Sequence, residues 1–300
     1  MEKFKKNYHK PVLIKEVLEY LNPKPNKVYL DATFGGGGHT QAILEKEPNC
    51  KVVAFDWDKK AIEKNYPPLK EIYKDRLKVI WANFAHIKRV FEKEKIKKID
   101  GILADFGTSQ FQIQHTAGLS FSKDTPLDMR MSQAHYYFKA SDIVNRYKEK
   151  ELADIIYKYG EERFAKKIAK AIVEQRKKEK IKTTSQLAKL IESIIPKYIY
   201  GKKRRIHPAT KTFQALRIFV NKELENIEIF LNDSINFLSE GGNIVCISFH
   251  SLEDRIVKFF FKENKDKLEI LTKKPVTPTK SEIEINPSSR SSKLRAAKKK

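Results

Sequence analysis

Asp31-Ala32-Thr33-Phe34-Gly35-Gly36-Gly37-Gly38-His39 is the stretch that decides how this chain reads. It follows a short apolar run, Val28-Tyr29-Leu30, and opens a segment with helical spacing, Thr40 to Glu47. A strand that passes through a glycine-rich turn into a helix is the opening of a βαβ unit. Glycines there accept positive φ and let a ligand approach the backbone. Working outward, Val52-Val53-Ala54-Phe55 ends at Asp56, Leu77 to Trp81 is a third apolar run, and Ile99 to Ala104 ends at Asp105. Lys59 to Asn65 has helical spacing between two of them. This alternation predicts an α/β fold with a parallel sheet.

From about residue 132 the pattern changes. Leu152, Ile155, Ile156 and Tyr159 share one helical face, and Phe164, Ile168, Ala171 and Ile172 share another. Thr184 or Ser185 is placed to cap a helix carrying Leu187, Leu190, Ile191 and Ile194. Phe213 to Leu238 then reads as one or two helices, and Gly241-Gly242 as a turn into a strand from Asn243 to Phe249. The expected organisation is a split α/β domain, 1–113 with 207–300, around an all-helical insertion at 114–206. The segment from about 275, rich in Pro, Ser and Lys, reads as a basic tail, mobile until it meets RNA.

The glycine loop has two candidate ligands. A dinucleotide site has the form G-x-G-x-x-G. Counting from Gly35 or Gly36, the third glycine is replaced by Thr40 or Gln41. Asp31, just before the loop, would repel a pyrophosphate and attract an ammonium group. S-adenosyl-L-methionine carries an ammonium and a sulfonium, and is the expected cofactor. Asp56 is placed to accept hydrogen bonds from the ribose hydroxyls of an adenosine. Phe84 either stacks on the adenine or belongs to the core. Asp105 closes the fourth strand, on the sheet edge where α/β folds place their ligands.

The chain has 300 residues, with 61 Lys and Arg against 38 Asp and Glu, a formal net charge of +23. That excess points to a polyanion, because basic side chains release counterions when they neutralise phosphates. Lys202-Lys203-Arg204-Arg205 and the tail are the expected phosphate contacts. No apolar run reaches the roughly 18 residues of a membrane span, and the charged start Met1 to Lys6 is unlike a signal peptide. A cytoplasmic protein without membrane contact is expected. Cys50 and Cys246 are too few for a zinc site, so no metal is expected.

With these motifs in hand, the sequence closely resembles the MraW/RsmH family of bacterial 16S ribosomal RNA (cytosine-N4)-methyltransferases. The resemblance rests on His9-Lys10-Pro11-Val12-Leu13, the Asp31 to His39 loop, Pro126-Leu127-Asp128-Met129-Arg130-Met131 and Tyr159 to Ala165. It continues through His207 to Arg217 and Ser248 to Arg255. It implies a Rossmann-like methyltransferase domain with an inserted helical domain. It also implies methylation of a cytidine in the decoding region of 16S rRNA, within the small ribosomal subunit or its precursor. The cofactor contacts it implies are Gly37, Gly38, His39, Asp56, Phe84, Asp105 and Gln112. The chain departs from the family pattern at 106–121 and at Ser288.

Methyl transfer to the delocalised N4 amino group needs alignment and an eventual proton acceptor. Asp105 is the first candidate and Asp128 the second; the alternative reading of Asp105 is a cofactor ligand only. Arg130 and His250 are candidates for contact with the base or a phosphate, or, for Arg130, an ion pair with Asp128. Two other classes stay open: a non-catalytic RNA-binding assembly factor, and a nucleotide-dependent oxidoreductase. Oligomeric state is also open, a homodimer included.

Overall fold

The computed structural model describes residues 11–108, 112–113, 116–134, 136–196, 198–199, 202–203 and 206–300. His9, Lys10, Ser109, Gln110, Phe111, Arg204 and Arg205 lie outside the described residues, as do the side chains of Lys202 and Lys203. The chain divides into two compact units, 1–110 with 224–300, and 111–223. The second boundary therefore falls beyond 206, because the Thr210–Asn221 helix packs on the Glu149–Gly160 helix.

In the first unit, β1 (Val28–Asp31), β2 (Lys51–Asp56), β3 (Leu77–Trp81) and β4 (Ile99–Asp105) are joined by the strands β7 (Leu238–Ser248), β8 (Leu268–Ile270) and β9 (Lys293–Lys299). The sheet order is β3-β2-β1-β4-β7-β9-β8. Strands β1 to β4 and β7 pair in parallel, and β9 runs antiparallel between β7 and β8. This is an α/β fold of the Rossmann-like, doubly wound kind, with order reversing at β1 and β4.

Successive residues of a strand face opposite sides of a sheet, and here each side has its own core. Leu30, Val53, Phe55, Ile102, Ala104, Ile244 and Cys246 face one cluster, completed by Phe91, Phe230 and Phe261 from the covering helices. Tyr29, Val52, Ala54, Leu103, Val245 and Ile247 face the other, with Leu21, Ile43, Leu44 and Leu69. Burial on both faces explains why these strands read as continuous apolar runs. Both cysteines are buried and free.

Three elements differ from expectation. The Lys59–Tyr73 helix continues through Pro67 and Pro68 and buries Leu69 and Tyr73 on the face that also buries Ala61 and Asn65. The Gly241-Gly242 pair does not precede the strand but lies inside β7, where Gly241 at φ +75° sits at a register shift opposite β4. The segment from 275 is ordered structure, not a mobile tail. β9 is flanked on both sides by strands, Leu294, Ala296 and Ala297 are buried, and Arg295 holds Asp254 through Nε–Oδ1 at 2.6 Å and Nη2–Oδ2 at 3.2 Å. Its basic residues are compatible with an inner strand because Arg295 is paired. Lys299 donates to the carbonyls of Ile235 and Leu238.

The second unit contains the helices Ala140–Arg146, Glu149–Gly160, Ala165–Lys178, Thr184–Ile194 and Thr210–Asn221. Their buried faces include Ile143, Leu152, Ile156, Ile168, Ile172, Leu187, Ile191 and Leu216. Thr183, one residue before the expected cap, closes the Thr184–Ile194 helix in a capping box with Gln186. The unit is not wholly helical: β5 (Tyr198–Ile199) pairs antiparallel with β6 (Lys202–Lys203). Among the described residues, no helix is long and apolar enough to cross a membrane.

Candidate active site

Asp31, Asp56 and Asp105 are the last residues of β1, β2 and β4. Parallel pairing in register brings these ends to one edge of the sheet, at the switch in strand order. The chain leaves β1 through Thr33 and Phe34, whose amide donates to the Phe55 carbonyl at 2.8 Å. Gly35 and Gly37 take φ values of +50° and +77°, which L side chains rarely adopt. Gly38 begins the next helix, and a Cβ there would meet the Pro11 ring at 2.8 Å.

The loop is fastened on both sides. Asp56 Oδ2 accepts from the Gly35 amide at 2.6 Å, while Asp56 Oδ1 accepts from the Asp58 amide at 2.8 Å. Asn65 donates to the Gly35 carbonyl at 3.0 Å. Asp31 accepts from the Thr40 hydroxyl at 2.7 Å and from the Thr33 amide at 3.1 Å. The Asp105 amide donates to Thr33 Oγ1 at 2.8 Å. Thr33, Thr40 and Asn65 were not singled out from sequence; the first two flank the loop within hydrogen-bonding reach of Asp31, a spacing that could have flagged them.

Burial pushes all three carboxyls up, Asp56 to about 7 and Asp105 to about 6. His39 counters this for Asp31 and Asp105. Asp105 Oδ1 is buried and has no hydrogen-bond partner among the described residues. A buried acceptor left unmatched is costly.

Phe84 follows Asn83, whose side chain accepts from the Ala85 amide. Its ring packs on Phe106 and Phe230 at centroid distances of 5.7 and 5.4 Å. Those contacts make it part of the core margin. His250 is the cap of the Ser251–Glu263 helix and lies 3.2 Å from Glu253.

The second unit carries Gln112, Asp128 and Arg130. Gln112 is buried, and its carbonyl accepts from the Thr116 amide. Asp128 and Arg130 form a two-point pair, Nε–Oδ1 at 2.6 Å and Nη2–Oδ2 at 2.9 Å. Burial raises the Asp128 carboxyl, but the hydrogen bonds and charge of Arg130 outweigh it and hold the group below the usual range. Arg130 also donates to the Tyr136 carbonyl.

A doubly wound sheet with a glycine loop and aspartates at its ligand edge is the frame of an S-adenosyl-L-methionine-dependent methyltransferase. The sequence matches the MraW methylase family over residues 6–300, and the chain belongs to that family. A protein of Sulfurihydrogenibium sp. named ribosomal RNA small subunit methyltransferase H is 49% identical over 97% of this chain and 99% of its own length. Relatives of the same name from Ehrlichia chaffeensis and Persephonella marina are 46% and 47% identical, over 96% and 97% of this chain and 98% and 99% of theirs.

The residues present fit the cofactor. The Asp105 carboxylate, partly exposed at the strand end, suits its ammonium, and the open space above Gly36, where a Cβ would touch nothing within 4 Å, allows close backbone approach.

Proposed function

We propose that this enzyme methylates the N4 amino group of a cytidine in the decoding region of 16S rRNA, within the small ribosomal subunit or its precursor. The observation that carries the reading is the buried carboxylate edge with its unmatched Asp105 oxygen, in a chain nearly half identical, end to end, to enzymes named for small-subunit rRNA. The net charge of +23 supports a nucleic-acid substrate.

When bound, S-adenosyl-L-methionine supplies an electrophilic methyl group on a sulfonium. In this reading Gly37, Gly38 and His39 shape the floor beneath it. Asp105 holds the ammonium and Asp56 the ribose hydroxyls, while Phe84 borders the adenine; Gln112 is the remaining proposed cofactor contact. Fixing the donor is most of the catalytic task, since displacement at carbon depends on alignment.

A base inside a duplex hides its amino group, so the target cytidine is single-stranded or flipped. Asp128 is the proposed acceptor for the N4 hydrogens. Arg130 keeps it ionised and oriented: Oδ1 accepts from both the Arg130 amide and Nε, and Oδ2, which accepts from Nη2, is the oxygen that retains a lone pair. A weakly basic carboxylate suffices, because an amino nitrogen that has gained a methyl group is strongly acidic until it loses a proton. The basic surface is the proposed footprint for phosphates, and the cytoplasm the proposed location.

Nucleoside analysis of 16S rRNA from cells with and without the gene tests this reading. N4-methylcytidine should be present in the first and diminished in the second. An unchanged nucleoside profile would oppose it.

A further inference from the structure

His39 Nε2 lies 2.9 Å from the carbonyl oxygen of Val12 in a buried setting. A carbonyl only accepts, so this nitrogen carries hydrogen. In a neutral ring the other nitrogen, Nδ1, then presents a lone pair. Nδ1 lies 3.8 Å from Asp105 Oδ2. A lone pair facing an ionised carboxylate in a buried site is unfavourable, and the conflict disappears when one proton resides on either partner.

The acidic groups nearby increase the need for that proton, and the neutral donors reduce it. Asp31, at the end of β1, is fully buried and interacts with both His39 and Asp105. Asp56, at the end of β2, senses Asp31, and Glu253, on the Ser251–Glu263 helix, adds negative charge at Asp105. Glu282, on the Lys280–Ile285 helix, accepts from the Leu13 amide beside Val12. The threonines at 33 and 40 and the Gly107 amide are neutral donors.

We propose that His39 is a positioning residue that shares one proton with Asp105 while the pocket lacks a cation. The arriving ammonium of the methyl donor displaces that proton to solvent. An N–H or O–H bond of the pair breaks, the proton passes to buffer, and the ammonium at the Asp105 carboxylate replaces its charge. Cofactor binding is thereby linked to proton release, and the Val12 carbonyl, by fixing the ring tautomer, decides which nitrogen faces Asp105. This rests on the reading of the pocket as the cofactor site.

Calorimetry of S-adenosylhomocysteine binding, in buffers of different ionisation enthalpy, counts the protons. The nucleoside keeps the ammonium and is chemically stable. Proton release should accompany binding, and affinity should fall as pH is lowered. His39→Gln, whose amide can still donate to Val12, should bind more weakly and move the pH dependence of binding upward, because Asp105 loses the neighbour that lowers its carboxyl. Independently, nitrogen NMR of the wild-type imidazole should show Nε2 protonated. Binding without proton release, or an unprotonated Nε2, would overturn the proposal and leave the cofactor site standing. Absence of any binding would overturn both.

Discussion

Asn221 braces the backbone at Met129 from one side chain: its Nδ2 donates to the Met129 carbonyl at 2.8 Å and its Oδ1 accepts from the Met131 amide at 2.8 Å. Met129 needs the brace, because its φ is +66°, a left-handed value that a long side chain rarely adopts. The Met129 amide donates to Ala117, and the carbonyls of Leu127 and Asp128 accept from Ser141 and Ala140. The turn that carries Asp128 and Arg130 is thus over-determined, as strained backbone at functional sites tends to be.

Asn221→Ala leaves the buried Met129 carbonyl and Met131 amide without their partner. A loss of about 2–6 kcal/mol in stability is expected, at 1–3 kcal/mol for each of the two unmatched groups. Urea denaturation measures it, and hydrogen exchange at the Met131 amide should accelerate locally. A midpoint equal to wild type would show that the brace bears no strain.

Arg295→Ala strands Asp254 in a largely buried position. Removing one partner of a buried ion pair costs about 3–5 kcal/mol, and Lys293, 3.9 Å from Asp254, holds the expected loss near the lower end. Deleting 293–300 removes an inner strand and exposes the edges of β7 and β8, so that chain should not fold. Retention of wild-type stability by either variant would restore a dispensable tail.

That strand also marks where sequence reasoning stops. β1, β2 and β4 are legible because they are buried on both faces and each ends in aspartate at the ligand edge. β9 reads Lys-Leu-Arg-Ala-Ala-Lys-Lys, and nothing in those letters reveals that Asp254, 41 positions earlier, neutralises Arg295. The Val12 carbonyl that orients His39 is equally silent, since a backbone acceptor leaves no mark on residue identity. Asp128 and Arg130 are legible as an ion pair from their spacing. Their bracing by Asn221 joins residues 92 positions apart and is not.

Asp105 ties stability to pH. Its folded-state carboxyl is raised by burial to about 6, against a reference of 3.8. The folded protein therefore binds this proton more tightly than the unfolded chain. Below the reference value both states are protonated and the group is neutral in the balance. As pH rises through the interval up to about 6 the folded state is increasingly disfavoured, and the penalty stays constant above it. Asp105→Asn removes the titration, so its stability gain over wild type should be small near pH 4 and grow to about 3 kcal/mol above pH 6.5. Denaturation midpoints of both proteins across that range check the sign. A gain that shrinks with rising pH would contradict it.

Gly37→Ala tests the loop. The substitution forces a Cβ onto a residue at φ +77° and brings it within 3.1 Å of the Phe34 ring. A strain of about 1–2 kcal/mol is expected, with cofactor affinity reduced about tenfold or more as the loop shifts. Isothermal titration with S-adenosylhomocysteine measures the loss.

The most direct test is methyl transfer itself, with purified protein, S-adenosyl-L-methionine labelled in its methyl group, and small ribosomal subunits from cells lacking the enzyme. After digestion and separation of the RNA nucleosides, label should appear in N4-methylcytidine, fall steeply with Asp105→Asn, and fall with Asp128→Asn. Label in a different nucleoside, or none despite intact cofactor binding, would contradict the proposed reaction.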